Sequence, residues 1–239
     1  MNIMIMSKRT KNVTFNENYF EKIDTEEKAY FLGFIAADGC VSQRTKNCVV
    51  LSININKKDV EILEKFKESI NFSGNIFFSK SRNNMCNIHC HSLKLTNDLS
   101  KYGIIKRKTN KIIMPKLIGD LLRHFMRGYF DGDGCVSIHK DKRPGKGDDR
   151  GNINIVSGSY DFIQKYVDIL VEKANVKRNS IRDRKTGGRY YVIDWGGLTD
   201  VENIYNFLYK DAKTYLSRKK EKYDEVMKLH STKIKYRKK

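Results

Sequence analysis

"FIAADGCVS", Phe34 to Ser42, joins an apolar, helix-like run to an Asp-Gly pair and then to the start of a strand, and its last five letters recur unchanged at Asp133 to Ser137. Asp38 and Asp133 lie 95 residues apart, and the chain reads in parallel around both copies. Each copy opens with a helical pattern. In the first, Asp24 is placed to cap and Glu27 to close a capping box ahead of "KAYFLGFIAADG"; in the second, "GDLLRHFMRGYFDGDG" takes the same place. Strand alternation follows: in "LSININ" Leu51, Ile53 and Ile55 share one face and Ser52, Asn54 and Asn56 the other, and "NINIV" at Asn152 to Val156 repeats the pattern. Next come amphipathic helices, "DVEILEKFKESI" and "YDFIQKYVDILVEK". Second hairpins, "NIFFSKSRNNMCNIHCHS" and "SIRDRKTGGRYYVIDWG", follow them, the latter turning at Thr186-Gly187-Gly188. Each half closes on a last helix, "LTNDLSKYGIIKRK" and "LTDVENIYNFLYKDAKTYLSRKKEK". The expected fold is α+β: a duplicated αββαββα unit with a pseudo-two-fold axis, residues 1–117 forming one half and 118–239 the other. The Gly- and charge-rich "HKDKRPGKGDDRG" reads as a flexible loop that orders on a ligand.

Glycine inside a helix costs about 1 kcal/mol relative to alanine, so Gly33 and Gly128 need a reason. Each has a small residue four positions on, Ala37 and Gly132, and the two resulting smooth stripes let the helices pack backbone against backbone. Paired side by side, they deliver Asp38 and Asp133 to the same end, each beside a glycine that lets the chain turn sharply. Aspartates at helix C-termini are opposed by the dipole and by each other, so the pattern calls for a cation between them. Hard oxygen ligands suit magnesium, which also keeps bound waters.

The chain of 239 residues has enough apolar content, 39%, to build a core. Its formal charge of +19 points to a polyanionic partner, nucleic acid before an anionic membrane. "MNIMIMSKRTK" lacks a signal-peptide core, and no apolar run approaches the ~20 residues of a membrane span, which disfavours the membrane. The five cysteines are odd in number and form no CxxC pair, as expected of reduced thiols. The expected setting is therefore intracellular, in the cytoplasm or an organellar matrix.

"FLGFIAADG" (Phe31 to Gly39) and "MRGYFDGDG" (Met126 to Gly134) resemble the two motifs of the LAGLIDADG homing endonucleases in their single-chain form. The strand and helix order extends the likeness over nearly the whole chain. The first copy departs from the family name at Ala36, which is not the metal-binding position; the later aspartate is kept in both. The resemblance implies two saddle-shaped, four-stranded antiparallel sheets with the motif helices at the centre. It implies Asp38 and Asp133 as catalytic metal ligands, joined by the main-chain carbonyls of Ala37 and Gly132, with Mg2+ as cofactor and Mn2+ or Ca2+ able to substitute for binding. It also implies an active-site cation from the segment opening the last helix of each half. Lys108 and Lys219 fit that register, and Lys106 and Lys220 fit nearly as well.

On the polar strand faces, Asn54, Asn56, Asn152 and Asn154 suit adenine edges in a major groove. Arg44, Lys46, Lys80, Arg82, Arg143, Lys146, Arg150, Arg182, Arg184, Lys185 and Arg189 occupy hairpins and loops where they can hold phosphates or read guanine. Cys86, His89, Cys90 and His91 are spaced like zinc ligands, but strand alternation turns both histidines away from Cys90, so His89 and His91 are assigned to DNA. Cys40 and Cys135, one residue past each motif, are expected to be small buried packing residues, and "KLHSTKIKYRKK" a solvated tail.

The expected function is a monomeric, free-standing homing endonuclease that breaks both strands of a long asymmetric DNA site and leaves 3′ overhangs. The alternatives on the same scaffold are an intron maturase, with host intron RNA as partner, and a DNA-binding protein that does not cut.

Overall fold

The computed structural model describes residues 13–45, 48–79, 84–139, 150–185 and 188–237. The first motif helix, α1 (Glu26–Asp38), starts at Thr25, whose hydroxyl accepts the Lys28 amide at 3.2 Å. The cap is therefore one residue later than the sequence suggests. Thr25 has the extended backbone that turns a short side chain over the first free amides, whereas Asp24 reaches the Lys28 ammonium at 2.9 Å. Glu27 accepts from the Tyr19 hydroxyl at 2.8 Å instead of closing a capping box. From Ala29 to Ala36 every residue is buried, the signature of a helix enclosed on all sides.

What encloses it is the second motif helix, α4 (Leu121–Asp133), together with the sheet and helices of its own half. Side chains could not lie where the two helices cross: a Cβ on Gly33 would fall 2.0 Å from the Phe125 carbonyl oxygen, and one on Gly128 1.9 Å from that of Tyr30. The two clashes are mirror images under the 95-residue offset, so the glycine stripes carry the two-fold axis.

Around this pair each half builds one antiparallel sheet. The first contains β1 (Gly39–Thr45), β2 (Cys48–Asn56), β3 (Phe77–Phe78) and β4 (Met85–His91) in the order β1-β2-β4-β3. The second contains β5 (Gly134–His139), β6 (Arg150–Ser157), β7 (Arg182–Arg184) and β8 (Tyr190–Trp195) in the order β5-β6-β8-β7. Leu51, Ile53, Ile55, Cys86, Ile88 and Cys90 point into the core from one sheet, and Ile153, Ile155, Ile193 and Trp195 from the other. Helices α2 (Val60–Ser69) and α3 (Leu93–Lys101) complete the first half, and α5 (Tyr160–Ala174) and α6 (Leu198–Tyr209) the second.

The last helix foreseen for the second half is two. The segment that follows α6 leads through Leu216, whose amide is held by Asp131, into α7 (Ser217–Arg237). Helix α7 therefore runs on as helical backbone through most of the stretch expected to be a tail. Among the described residues no helix is long and apolar enough to cross a membrane.

Candidate active site and nucleic-acid face

Both motif helices pass straight into a strand. Gly39 (φ −76°, ψ 148°) and Gly134 (φ −87°, ψ 161°) are extended, and their amides donate to the Ile35 and Phe130 carbonyls. The left-handed turn that an Asp-Gly pair suggests is absent. Glycine is required by contact instead, because a Cβ would lie 2.6 Å from the Ile35 oxygen in one copy and 2.5 Å from the Phe130 oxygen in the other. Asp38 and Asp133 thus end their helices where the dipoles are negative. The two ends meet, since a Cβ on Gly132 would sit 2.3 Å from that of Ala37 and 2.9 Å from an Asp38 carboxylate oxygen.

Burial and the neighbouring Asp133 push the Asp38 carboxyl up to about 6, against the pull of Lys219 and Lys108. Burial also raises Asp133, opposed by Lys108, the Tyr129 side chain and Lys219. Each lysine is buried and anchored on the helix end of its own half. Lys108 donates to the Ala37 carbonyl at 3.1 Å, while Lys219 donates to those of Phe130, Asp131 and Gly134 at 2.8, 2.6 and 2.6 Å. Burial pulls both ammonium groups below the usual lysine range. Of the rival lysines, Lys106 is exposed and Lys220 is paired with Asp224 at 2.9 Å. Lys219 opens α7 as expected, but Lys108 opens a single 3-10 turn, Lys108–Asn110, after a left-handed Arg107.

The closing segments cross between halves. The Lys108–Asn110 turn packs on the β6–α5 corner, where a Cβ on Gly158 would lie 2.6 Å from the Thr109 carbonyl oxygen. The start of α7 packs on the β2–α2 corner, where Arg218 pairs with Asp59 at 2.7 and 2.9 Å and the Ser217 amide donates to Glu61 at 2.8 Å. As a result the strongest cationic influence on Asp38 is Lys219 and that on Asp133 is Lys108.

Beneath the site, the two motif copies differ. Arg127, which takes the place of Leu32, is fully buried and donates to Glu26 of α1 at 2.6 Å and to the Leu208 and Thr214 carbonyls at 2.9 Å. Asp131, in the place of Ala36, accepts from the hydroxyls of Tyr30 and Tyr209 and from the Leu216 amide. These two residues tie α1, α6 and the approach to α7 onto α4. Sequence reading missed them because nothing in a charge on an apolar run says which backbone groups will surround it.

Among the described residues, the polar sheet faces carry most of those assigned to DNA. Asn54 is exposed, Asn152 and Asn154 are half-buried, and Arg150 is exposed. Asn56 lies on the same face, but its amide oxygen accepts from the Lys58 amide at 3.1 Å as the cap of a short 3-10 turn. His91 is exposed, and His89 is half-buried with its Nδ1 2.8 Å from the Ser52 hydroxyl. Cys86 and Cys90 are buried on the opposite face, so the zinc-like spacing does not converge. Arg184 and Lys185 are exposed. Arg182 forms an ion pair with Asp194, and Arg189 pairs with Asp183 at 2.9 Å, so both are partly neutralised within their hairpin. Lys46, Lys80, Arg82, Arg143 and Lys146, the side chain of Arg44, and most of the loop from His139 to Gly151 lie outside the described residues. Cys40 and Cys135 are not buried packing: both are exposed, facing the polar sheet surface opposite Ser52 and Asn154. Exposed Phe77 shares the face of Asn87 and His89, an aromatic that sequence alternation over so short a strand could not place.

The donor set at the helix ends suits a hard divalent cation. It is all oxygen, and two carboxylates raised by burial are brought together there. Among the described residues no group of three or more His, Cys, Asp or Glu side chains converges to hold a metal. A cation here would complete its shell with carbonyl, water or substrate oxygens.

The LAGLIDADG-like domain family matches residues 120–209, the second half from the start of α4 to the end of α6. The structure superposes on the meganuclease I-AabMI bound to uncleaved DNA with a TM-score of 0.61 at 17% identity, covering 85% of this chain and 91% of that one. On the I-LtrWI LAGLIDADG homing endonuclease bound to its target DNA the TM-score is 0.61 at 15% identity, covering 91% and 92%. A curated relative, the probable translation initiation factor IF-2 of Methanocaldococcus jannaschii, is 25% identical over 213 residues, 81% of this chain. The chain spans only 16% of that relative's length. Residues 120–209 are thus similar to a LAGLIDADG-like domain, and most of the chain has the fold of the solved LAGLIDADG homing endonucleases.

Proposed function

We propose that this protein is a site-specific DNA endonuclease that breaks both strands of a long, asymmetric duplex site and leaves short 3′ overhangs. One observation carries the reading: two carboxylates with raised pKa, Asp38 and Asp133, end paired helices at the point where two buried lysines are anchored. The polar sheet faces and the excess of basic residues suit the DNA partner, and the solved structures of the same fold named above hold DNA.

Asp38 and Asp133, with the Ala37 and Gly132 carbonyls, would hold divalent metal, most simply Mg2+, which supplies an activated water and Lewis-acid stabilisation. The two aspartates would supply its carboxylate ligands, one from each half. Lys108 and Lys219 hold fixed positive charge beside the carboxylates, where it offsets the negative charge developing on the attacked phosphate. Because neither ammonium needs to move to be in place, the field is set before substrate arrives. The sheet faces fix register on the duplex, so the scissile phosphates and not others meet the aspartates.

The test is cleavage of a randomised duplex library in Mg2+, with sequencing of the recovered ends. A shared sequence with a constant 3′ stagger, lost when EDTA is added, is the expected result. Recovery of uncut but sequence-enriched duplexes would instead make it a binding protein.

A further inference from the structure

Arg218 is a basic group that lines the same cleft as Asp38 and that the proposed chemistry leaves unused. It lines a cleft of about 220 Å³ together with Asp38, Asn54, Asn56 and Asp59. Its guanidinium is locked by a two-point pair with Asp59, Nε to one carboxylate oxygen at 2.7 Å and a terminal nitrogen to the other at 2.9 Å. Asp59 is buried and Arg218 is 49% exposed, so the carboxylate fixes one edge of the fork. A guanidinium has five N–H donors, and this pair leaves the remaining ones for another acceptor. A planar fork fixed on one edge in the cleft that Asp38 also lines has the donors for a phosphate oxygen.

Among the described residues the other half has no such device. Arg107 precedes Lys108 as Arg218 precedes Lys219, yet it sits in the left-handed region (φ 56°), exposed, with no hydrogen bond or ion pair to a described residue. At the α5 cap, where α2 has Asp59, stands Ser159, whose hydroxyl accepts the Phe162 amide at 3.3 Å. The pairing that organises one arginine is absent for its twin.

We infer that Arg218 binds a backbone phosphate of the DNA strand processed at Asp38, held ready for it by Asp59, and that this makes the two strand cuts unequal. The inference rests on the endonuclease reading for its substrate. Asp59 is a positioning residue: it fixes the fork and does not touch the DNA.

Two measurements on one duplex containing the cleavable site test it. In single-turnover cleavage with each strand labelled in turn, Arg218→Ala and Asp59→Asn should slow the same one strand about tenfold or more, the scale of losing a charge-assisted bond, and spare the other. Arg107→Ala should not separate the strands. In the second measurement, binding in Ca2+ is compared for duplexes carrying a single methylphosphonate at successive central positions. The parent should lose affinity at one phosphate of that strand, and Arg218→Ala should be indifferent to that substitution alone. If Arg218→Ala slows both strands equally with a lowered Tm, or keeps the parent's full response at every phosphate, Arg218 is only a tether between halves and the inference is overturned. A parent that binds with this coupling yet cuts neither strand would defeat the endonuclease reading and leave the phosphate contact standing.

Discussion

The two halves agree where their backbones touch and differ where their side chains do. At the helix crossing Gly33 and Gly128 face equivalent neighbours at nearly equal distances, and both helices pass into strands through contact-restricted glycines. One layer away the copies part: Leu32 and Ala36 of the first motif are replaced by Arg127 and Asp131 in the second. Close backbone packing has one solution for both halves, so both sequences keep it. The surroundings are not equivalent, because only α4 must receive α6 and the chain leading to α7, and Arg127 and Asp131 satisfy the backbone groups that arrive there.

The largest break in this comparison is expected at Arg127. Arg127→Ala leaves Glu26 and two carbonyls without their buried donor, and should cost about 4 kcal/mol in chemical denaturation, the range for half of a buried ion pair. Leu32→Ala, at the matching place, should cost about 3 kcal/mol through a plain cavity and leave the closing segment of the second half docked, as limited proteolysis would show. Next in size, Gly33→Ala and Gly128→Ala should each cost about 3 kcal/mol through overpacking. If one is well tolerated and the other is not, the crossing is not two-fold.

Smaller effects sharpen the site itself. The folded carboxyl of Asp38 lies near 6, above the ~3.9 of an unfolded chain. Its contribution to stability is therefore fully present below about pH 4 and is lost as pH rises through about 6. Without divalent metal, Asp38→Asn should melt ~3 °C above the parent at pH 7.5 and level with it at pH 4. Adding Mg2+ should raise the parent's melting temperature and leave the double variant Asp38→Asn, Asp133→Asn unmoved.

The duplication, the strand faces and the focus on Asp38 and Asp133 were legible in the sequence because each rests on a local rule: an exact repeat, period-two alternation, or glycine in an apolar helix. Lys108 and Lys219 could be named only as one choice among neighbours, since burial on a carbonyl cluster depends on where a distant helix end arrives. The Arg218–Asp59 pair could not be read at all. It joins residues 159 apart across the pseudo-two-fold, and neither residue is unusual in its own stretch. Cys40 and Cys135 were misplaced for a related reason: register puts them on the polar faces of β1 and β5, and a small apolar residue type says nothing about which side it takes.

On the proposed reading, both aspartates serve one metal-dependent cutting site despite the unlike halves around them. The most direct measurement is single-turnover cleavage of the selected duplex in Mg2+ by the parent, Asp38→Asn and Asp133→Asn, with binding in Ca2+ measured alongside. Each variant should lose double-strand breakage by about a hundredfold or more while still binding the duplex. Cleavage at the parent's rate by either variant would contradict it.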